Sequence, residues 1–169
     1  CAVKKIAVDA RETSQTLRAK FRKMSAQLLD ENLQSIKNGT AKFEEQNENE
    51  ATYARKLNKD DMRLNFNMPA NVLDDRIRAF GFGLLDFNGE TIKVCDAHAV
   101  HGASHSVAGT VLQADANGLE VACAEGSLLI KSLQRPCAKM MCAEEFFKGF
   151  CIEKKSVLKS FANAELLRA

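Results

Sequence analysis

The 169-residue sequence contains no tryptophan, one tyrosine and two prolines. It also lacks any apolar run of the roughly 20 residues that a membrane-spanning helix requires. Scarce tryptophan and tyrosine argue against a binder of single-stranded nucleic acid, which stacks bases on exposed rings, and we expect most phenylalanines to lie in the core. With 46% apolar residues, the composition predicts a soluble globular chain that holds one core, or one small domain plus part of another.

The six cysteines show no tight repeated spacing, which argues against a disulfide framework. Several lie in apolar, strand-like runs, as buried free thiols do. We therefore expect a reducing, cytoplasmic environment. Because the chain begins at Cys1 rather than at methionine, we also expect a processed or truncated product.

Charge is segregated along the chain, although the net charge is only +2. Lysine and arginine exceed aspartate and glutamate by 4 over residues 1–59 and by 4 over residues 131–169, whereas residues 60–130 carry a net charge of −6. Attraction to phosphate depends on local rather than total charge. The two basic ends are therefore compatible with a protein that presents one face to a polyanion, and also with an ordinary solvated surface.

The first 60 residues predict a strand, a helix and a linker. Residues 2–8 alternate as a short strand does, and a helix with a Thr13 or Ser14 cap follows and ends at Asn38-Gly39. Residues 44–59 are polar and have the composition of a linker. A strand and a helix cannot enclose a core alone, so we expect residues 1–43 to be an incomplete piece of a larger domain.

Residues 60–169 predict a small β domain with flanking helices. Met62, Leu64 and Phe66 alternate as a strand, and Asn67 is expected to cap a helix that ends at Gly81 to Gly83. Short strands follow at 84–87, 91–100, 110–114, 119–124 and 127–134, with Asn-Gly turns between apolar alternations. The pattern predicts a mainly β, α+β domain that closes as an OB-like barrel.

Four possible metal ligands, Cys95, His98, His101 and His105, fall within eleven residues. Cys95 and His98 lie on a predicted strand, where residues three apart point to opposite faces. We therefore expect a polar loop with incidental histidines and no metal site.

Seven short motifs along the chain resemble the C-terminal portion of methionyl-tRNA formyltransferases. They occur in the family's order, and the match covers nearly the whole chain: G-T-A at 39–41, Y-A-R-K-L at 53–57, I-R-A-F at 77–80, N-G-x-x-I-K-V at 88–94, G-T-V at 109–111, S-L-Q at 132–134 and A-E-E-F-x-x-G at 143–149. The chain departs from the family at Cys142, where a serine usually caps the last helix. A thiol is a poorer cap acceptor than a hydroxyl.

The resemblance implies a parent enzyme that transfers a formyl group from 10-formyltetrahydrofolate to the amino group of methionine on initiator tRNA. It also implies an order of domains: the last strand and helix of an α/β catalytic domain at 1–43, a linker at 44–59 and an OB-like domain at 60–169. The family catalyses with an asparagine, a histidine and an aspartate in its N-terminal half. None of that constellation is present here, so we expect this segment alone to be inactive and to bind no cofactor.

The role that the resemblance leaves to this segment is to position initiator methionyl-tRNA. We expect a cytoplasmic monomer of bacterial type with no membrane partner. The predicted phosphate contacts are the basic residues of the linker and the tail: Arg55, Lys56, Lys59, Lys131, Lys139, Lys154 and Lys155.

Two other readings of the sequence stay open. One is the corresponding domain of a sugar-nucleotide N-formyltransferase, which has no nucleic-acid partner. The other is a stand-alone OB-type binding module, against which the predicted strand and helix at 1–40 argue, because nothing in the sequence is expected to cover their apolar face.

Overall fold

The computed structural model describes residues 2–102 and 106–162 together with the backbone of residues 167–168. The chain forms two compact units. One contains the residues up to Arg55 and the last short strand, and the other begins at Lys56. The division falls inside the segment that the sequence predicts to be a linker.

The first unit is built around one long helix, α1 (Ser14–Lys37). Thr13 caps it as predicted, because its hydroxyl accepts the Thr16 N–H at 3.2 Å and its own N–H donates to Thr16 Oγ1 at 3.0 Å. No residue of α1 is buried, and Phe21, Leu29 and Ile36 are 43%, 58% and 42% exposed. The described residues of its own segment therefore do not enclose this helix, and the assignment of residues 1–43 to a larger domain stays a prediction.

The rest of the first unit contains little regular structure. A 3₁₀ turn spans Glu48–Glu50, and β1 (Tyr53–Ala54) pairs antiparallel with β8 (Leu167–Arg168). The strand predicted for residues 2–8 is wrong. Residues 2–8 form no strand, because no described segment offers them a hydrogen-bonding partner and alternation alone does not hold an isolated strand.

The second unit opens with a 3₁₀ helix, Lys59–Met62, and with α2 (Ala70–Phe80). The strand predicted at 62–66 is also wrong: Arg63 makes only an isolated parallel bridge with Leu84. The apolar pattern there reflects burial, since Leu64 and Phe66 are 2% and 0% exposed. The N-cap position of α2 is occupied by Pro69, so the predicted Asn67 cap is wrong, and Gly81 ends the helix in the left-handed conformation as expected.

An antiparallel sheet follows, with the spatial order β2-β3-β6-β5-β4 and with β7 beside the end of β6. Asn88 and Gly89 both have positive φ in the turn after β2, as an Asn-Gly hairpin requires. The predicted α+β class, an antiparallel sheet with flanking helices, is confirmed; the OB type stays a prediction. The bounds of the strands and of the last helix are β2 (Gly83–Phe87), β3 (Glu90–Val100), β4 (Val111–Asp115), β5 (Gly118–Ala122), β6 (Ser127–Gln134), β7 (Met141–Cys142) and α3 (Ala143–Gly149).

The core of this unit lies between the sheet and the helices α2 and α3. Its largest fully buried side chains are Phe66, Phe146, Leu73, Leu85, Ile92, Leu119, Leu128, Ile130 and Leu133. Burying each side chain of this size contributes roughly 1.5–3 kcal/mol. This core fixes the frame to which the more polar segments attach.

The sheet continues beyond β4 through residues 153–161, which we call the tail. Val111 N–H donates to Ser156 O, and Leu158 N–H donates to Gly109 O, both at 2.8 Å. Further along, Phe161 N–H donates to Leu64 O at 3.2 Å, and Leu64 N–H donates to Leu84 O in β2 at 2.8 Å. The tail therefore links the two ends of the sheet by backbone hydrogen bonds and covers the edge of β4.

Candidate nucleic-acid interface

The segment that carries Lys59 is held by a capping box. Asn58 Oδ1 accepts the N–H groups of Asp60 and Asp61 at 3.0 and 3.2 Å, and Asp61 Oδ2 accepts the Asn58 N–H at 2.8 Å. The Asp61 side chain is buried, whereas Lys59 is exposed. The capping box thus fixes the backbone while it leaves the lysine in solvent.

The tail presents lysines in a similar way. Lys155 N–H donates to Val111 O at 2.8 Å, and Ile152 and Leu158 are buried. Lys154, Lys155 and Lys159 are exposed. The backbone and the apolar side chains of the tail therefore anchor it to the domain, and its lysines face solvent.

Phe161 joins the two basic segments. The Arg63 guanidinium carbon lies 4.6 Å from the centre of the Phe161 ring, and Lys159 Nζ lies 4.9 Å from it. Cations at this distance are attracted to the aromatic ring. The residues after Lys59 and the tail, about 100 positions apart in sequence, therefore lie side by side at one ring.

Arg63 is already engaged by carboxylates. Its Nη1 lies 2.7 Å from Asp86 Oδ2 and its Nε lies 3.1 Å from Asp60 Oδ1. Hydrogen bonds to Asp60 and then to Asp86 raise the pKa of Arg63 above its ordinary value, against the effect of burial. Since these carboxylates offset the charge of Arg63, Lys159 is the cation of the pair that is available to a ligand.

We call the exposed lysines of the two joined segments the linker–tail strip: Lys59, Lys154, Lys155 and Lys159. The structure thus brings three of the predicted phosphate contacts into segments that meet at Phe161. Lys56 is exposed and begins the same unit, whereas Arg55 is the last residue of the other unit in this part of the chain.

The other two predicted contacts lie elsewhere. Lys131, on β6, donates to Asn117 O at 2.5 Å in the turn that follows β4. The tail contacts β4 at Val111, which is the opposite end of this strand. At the rise per residue of a β-strand, the two ends of β4 are about 13 Å apart. Lys139 is exposed in the loop between β6 and β7. Neither residue is part of the linker–tail strip.

Sequence reasoning missed Lys159, Arg63 and Phe161 as members of this site. The available signal was the Lys159-Ser160-Phe161 spacing at the end of the basic tail, since residues i and i+2 of an extended segment share a face. Nothing in the sequence indicated that Arg63 would meet the same ring.

The expectation that most phenylalanines lie in the core holds for half of them. Of the ten phenylalanines, Phe66 and Phe146 are buried, and Phe87, Phe147 and Phe150 are partly buried and pack against the core. Four phenylalanines lie under cations: Phe80, Phe82, Phe150 and Phe161. Phenylalanine covers the domain surface with partly buried rings because it has no polar group to satisfy and accepts cations on its face.

The histidine and cysteine cluster does not form a metal centre among the residues that the structure describes. His105 lies outside those residues. The geometric argument against the cluster is wrong, however: Asp96 has a φ of 48° and shifts the alternation of β3, so that Val94 and Ala97 face the core. Cys95 and His98 therefore both lie away from the core, and Cys95 Sγ donates to Gly81 O at 3.4 Å.

A shallow cavity of about 270 Å³ lies beside the start of α2. Asn71, His101 and Glu125 contribute its polar lining, and all three are exposed. An open cavity with exposed polar groups offers water free access, unlike the enclosed, desolvated sites in which acyl transfer is catalysed.

Within the part of the chain described here, no helix is long and apolar enough to span a bilayer.

Comparisons with known proteins agree with this architecture. Solved structures of HypX from Aquifex aeolicus, a four-substitution variant and a two-substitution variant, match 97% of this chain at 13% and 14% identity, with TM-scores of 0.62 and 0.60. HypX in complex with tetrahydrofolic acid matches 85% of the chain at 14% identity and a TM-score of 0.54. At these identities the likeness concerns the fold. The chain spans 31%, 30% and 26% of the three structures, which is less than a third of each.

The family comparison is more specific than the structural one. The model of the formyl transferase C-terminal domain matches residues 56–151, which is more than half of the chain and begins where the second unit begins. The chain therefore belongs to the family of formyl transferase C-terminal domains.

Proposed function

We propose that this chain is the RNA-positioning portion of a methionyl-tRNA formyltransferase. The complete enzyme would transfer a formyl group from 10-formyltetrahydrofolate to the amino group of methionine on initiator tRNA, in the bacterial cytoplasm. The proposal rests on family membership and on the linker–tail strip. HypX, a protein of similar fold, is known in complex with tetrahydrofolic acid, which supports a folate co-substrate for the parent enzyme.

The linker–tail strip is the observation that carries the RNA-binding part of the proposal. Its four lysines are exposed, and within the described chain none of them forms an ion pair with a carboxylate. Lysines of this kind contact phosphates and fix the position of a duplex without reading its sequence. Initiator tRNA provides such a duplex in its acceptor arm, and the recognition of the methionine would fall to the catalytic residues.

In this proposal the chain binds RNA as a monomer and catalyses nothing itself. Acyl transfer requires an acid or a base and a polarised carbonyl in a site protected from water. His98 is 47% exposed and lies 3.3 Å from Asp96, and His101 lies in an open cavity. Neither histidine is placed for such chemistry.

Titration of labelled initiator tRNA with the purified chain, followed by fluorescence anisotropy, tests this proposal. Titration calorimetry of the same chain with a sugar nucleotide tests the alternative function. We expect saturable tRNA binding that weakens with salt, and no binding heat from the sugar nucleotide. Saturable binding of the sugar nucleotide without tRNA binding would overturn the proposal and favour a sugar-nucleotide N-formyltransferase.

A further inference from the structure

The tail lies directly against the backbone of residue 109, where there is no room for a side chain. Gly109 has a φ of +90°, and its carbonyl accepts the Leu158 N–H at 2.8 Å. A β-carbon at position 109 would lie 2.5 Å from Leu158 O, well inside van der Waals contact with the backbone of the tail. A side chain at position 109 therefore requires the tail or the backbone before β4 to shift, and we expect it to weaken the docking of the tail.

At its other end the tail is held by Phe161. The Phe161 side chain is half-buried, and the Phe161 backbone N–H donates to Leu64 O. Lys159 Nζ lies over the ring, 4.9 Å from its centre. A lysine side chain in solvent samples many rotamers, and ordering it costs up to about 2 kcal/mol. Contact with the ring restricts those rotamers before a ligand arrives.

We propose that the docked tail is itself an RNA-binding element, in which Lys159 contacts a phosphate and Phe161 is its positioning residue. Docking brings Lys159 beside the segment that follows Lys59, so that one phosphate backbone could contact both segments. The inference deepens the proposed function and rests on it, because it assigns the same partner to residues that family resemblance does not indicate.

The substitution Gly109→Ala tests the docking requirement without removing any charge. The matched control is Gly89→Ala, because Gly89 also has a positive φ, +81°, but a β-carbon there meets nothing within 4 Å. We expect Gly109→Ala to expose the tail to trypsin at its lysines and to lower the dependence of log K on log salt by as much as about 2.7, for three lost phosphate contacts. Gly89→Ala should retain the slope of the unmodified chain. A Gly109→Ala variant with an exposed tail and unchanged tRNA affinity would overturn the inference.

Two further variants keep the test decisive if Gly109→Ala does not fold. Lys159→Gln should lower the slope of log K against log salt by about 0.9. If the affinity is unchanged at 1 M salt, this difference in slope makes the variant bind about eightfold more weakly at 0.1 M salt. Phe161→Leu keeps the charge and an apolar anchor, so it should weaken binding while it leaves the slope unchanged. Lys148→Gln, on α3, removes an exposed lysine that pairs with Glu144 and serves as the control. Equal effects of Lys159→Gln and Lys148→Gln would contradict the inference.

An unrelated RNA duplex separates this inference from the proposed function. Phosphate contacts do not depend on sequence, so the same variants should weaken binding of that duplex. Duplex binding that is lost in Lys159→Gln, together with no binding of initiator tRNA by the unmodified chain, would support the tail as an RNA-binding element and contradict the proposed function. Initiator tRNA binding that depends on Lys59 but not on Lys159 or Gly109 would support the proposed function and overturn the inference.

Discussion

Gly83 and Leu64 are packed so closely that a β-carbon at position 83 would lie 2.8 Å from Leu64 Cδ2. Ile77 and Val94 bound the same space, each with an atom at 3.1 Å. Gly83 begins β2 directly after α2, at the point where the helix, the strand and Leu64 meet. The absence of a side chain there lets the helix and the sheet approach each other.

We expect Gly83→Ala to lower the free energy of unfolding by about 1–3 kcal/mol, because an extra methyl group overpacks a filled core. The control is Gly149→Ala, since a β-carbon at position 149 meets nothing within 4 Å. Chemical denaturation of both variants measures the difference. Equal stability of the two variants would show that the core relaxes around the methyl group.

Cys123 should make stability depend on pH in the alkaline range. Burial raises the pKa of its thiol to about 11 from an ordinary value of 9.0. Because the folded state holds the proton more tightly than the unfolded state, the contribution is complete below pH 9 and is lost as pH rises toward 11. The decline of stability between pH 9 and 11 should therefore be shallower in Cys123→Ala than in the unmodified chain. Cys151→Ala, at an exposed thiol, is the control and should retain the full decline. Parallel curves for Cys123→Ala and the unmodified chain would contradict the assignment.

The two carboxylates that hold Arg63 should differ in importance. The Asp86 side chain is 28% exposed and also accepts the Thr91 hydroxyl at 2.8 Å, whereas the Asp60 side chain is 80% exposed. We expect Asp86→Asn to cost about 1.5–3 kcal/mol of stability, as a shielded bond to a charged group does, and Asp60→Asn less than about 1 kcal/mol. Urea denaturation of the Asp86→Asn and Asp60→Asn variants, both isosteric substitutions, shows which carboxylate contributes more to the free energy of unfolding. The reverse order would mean that the Arg63–Asp86 pair does not anchor the segment.

The last helix should gain from the cap that this sequence lacks. Cys142 occupies the N-cap position of α3 in an extended conformation and makes no side-chain hydrogen bond to the helix in the described chain. Cys142→Ser supplies a better acceptor at the same geometry and should raise the free energy of unfolding by about 0.5–1 kcal/mol. Cys151→Ser changes an exposed thiol outside a cap and should change it little. A Cys142→Ser variant no more stable than Cys151→Ser would contradict the prediction.

Local rules of the sequence account for much of the domain. The Asn88-Gly89 turn, the Thr13 cap and the strands of the sheet follow from residues close together in the chain. The wrong predictions concern long-range partners. Residues 2–8 alternate like a strand but pair with no strand among the described residues, and the apolar residues at 62–66 are buried without joining a ladder. Periodicity reports which residues are buried and not what covers them.

The candidate site was predictable in its charges but not in its assembly. Lys59, Lys154 and Lys155 were evident as basic residues near the ends of the domain. The meeting of their segments depends on the tail lying against Gly109 and on Phe161 contacting Arg63, and both are contacts between distant parts of the chain. A single sequence carries no signal for such a contact. The sequence therefore could not show that Lys159 belongs to the linker–tail strip and that Lys131 does not.

The salt dependence of initiator tRNA binding tests the proposed function most directly. Titrations of the unmodified chain and of a Lys59→Gln, Lys154→Gln, Lys155→Gln triple variant at several salt concentrations give the slope of log K against log salt. We expect binding by the unmodified chain and a slope that is smaller by about 2.7 in the triple variant, because three phosphate contacts are lost. No tRNA binding by the unmodified chain, or the same slope for both proteins, would contradict it.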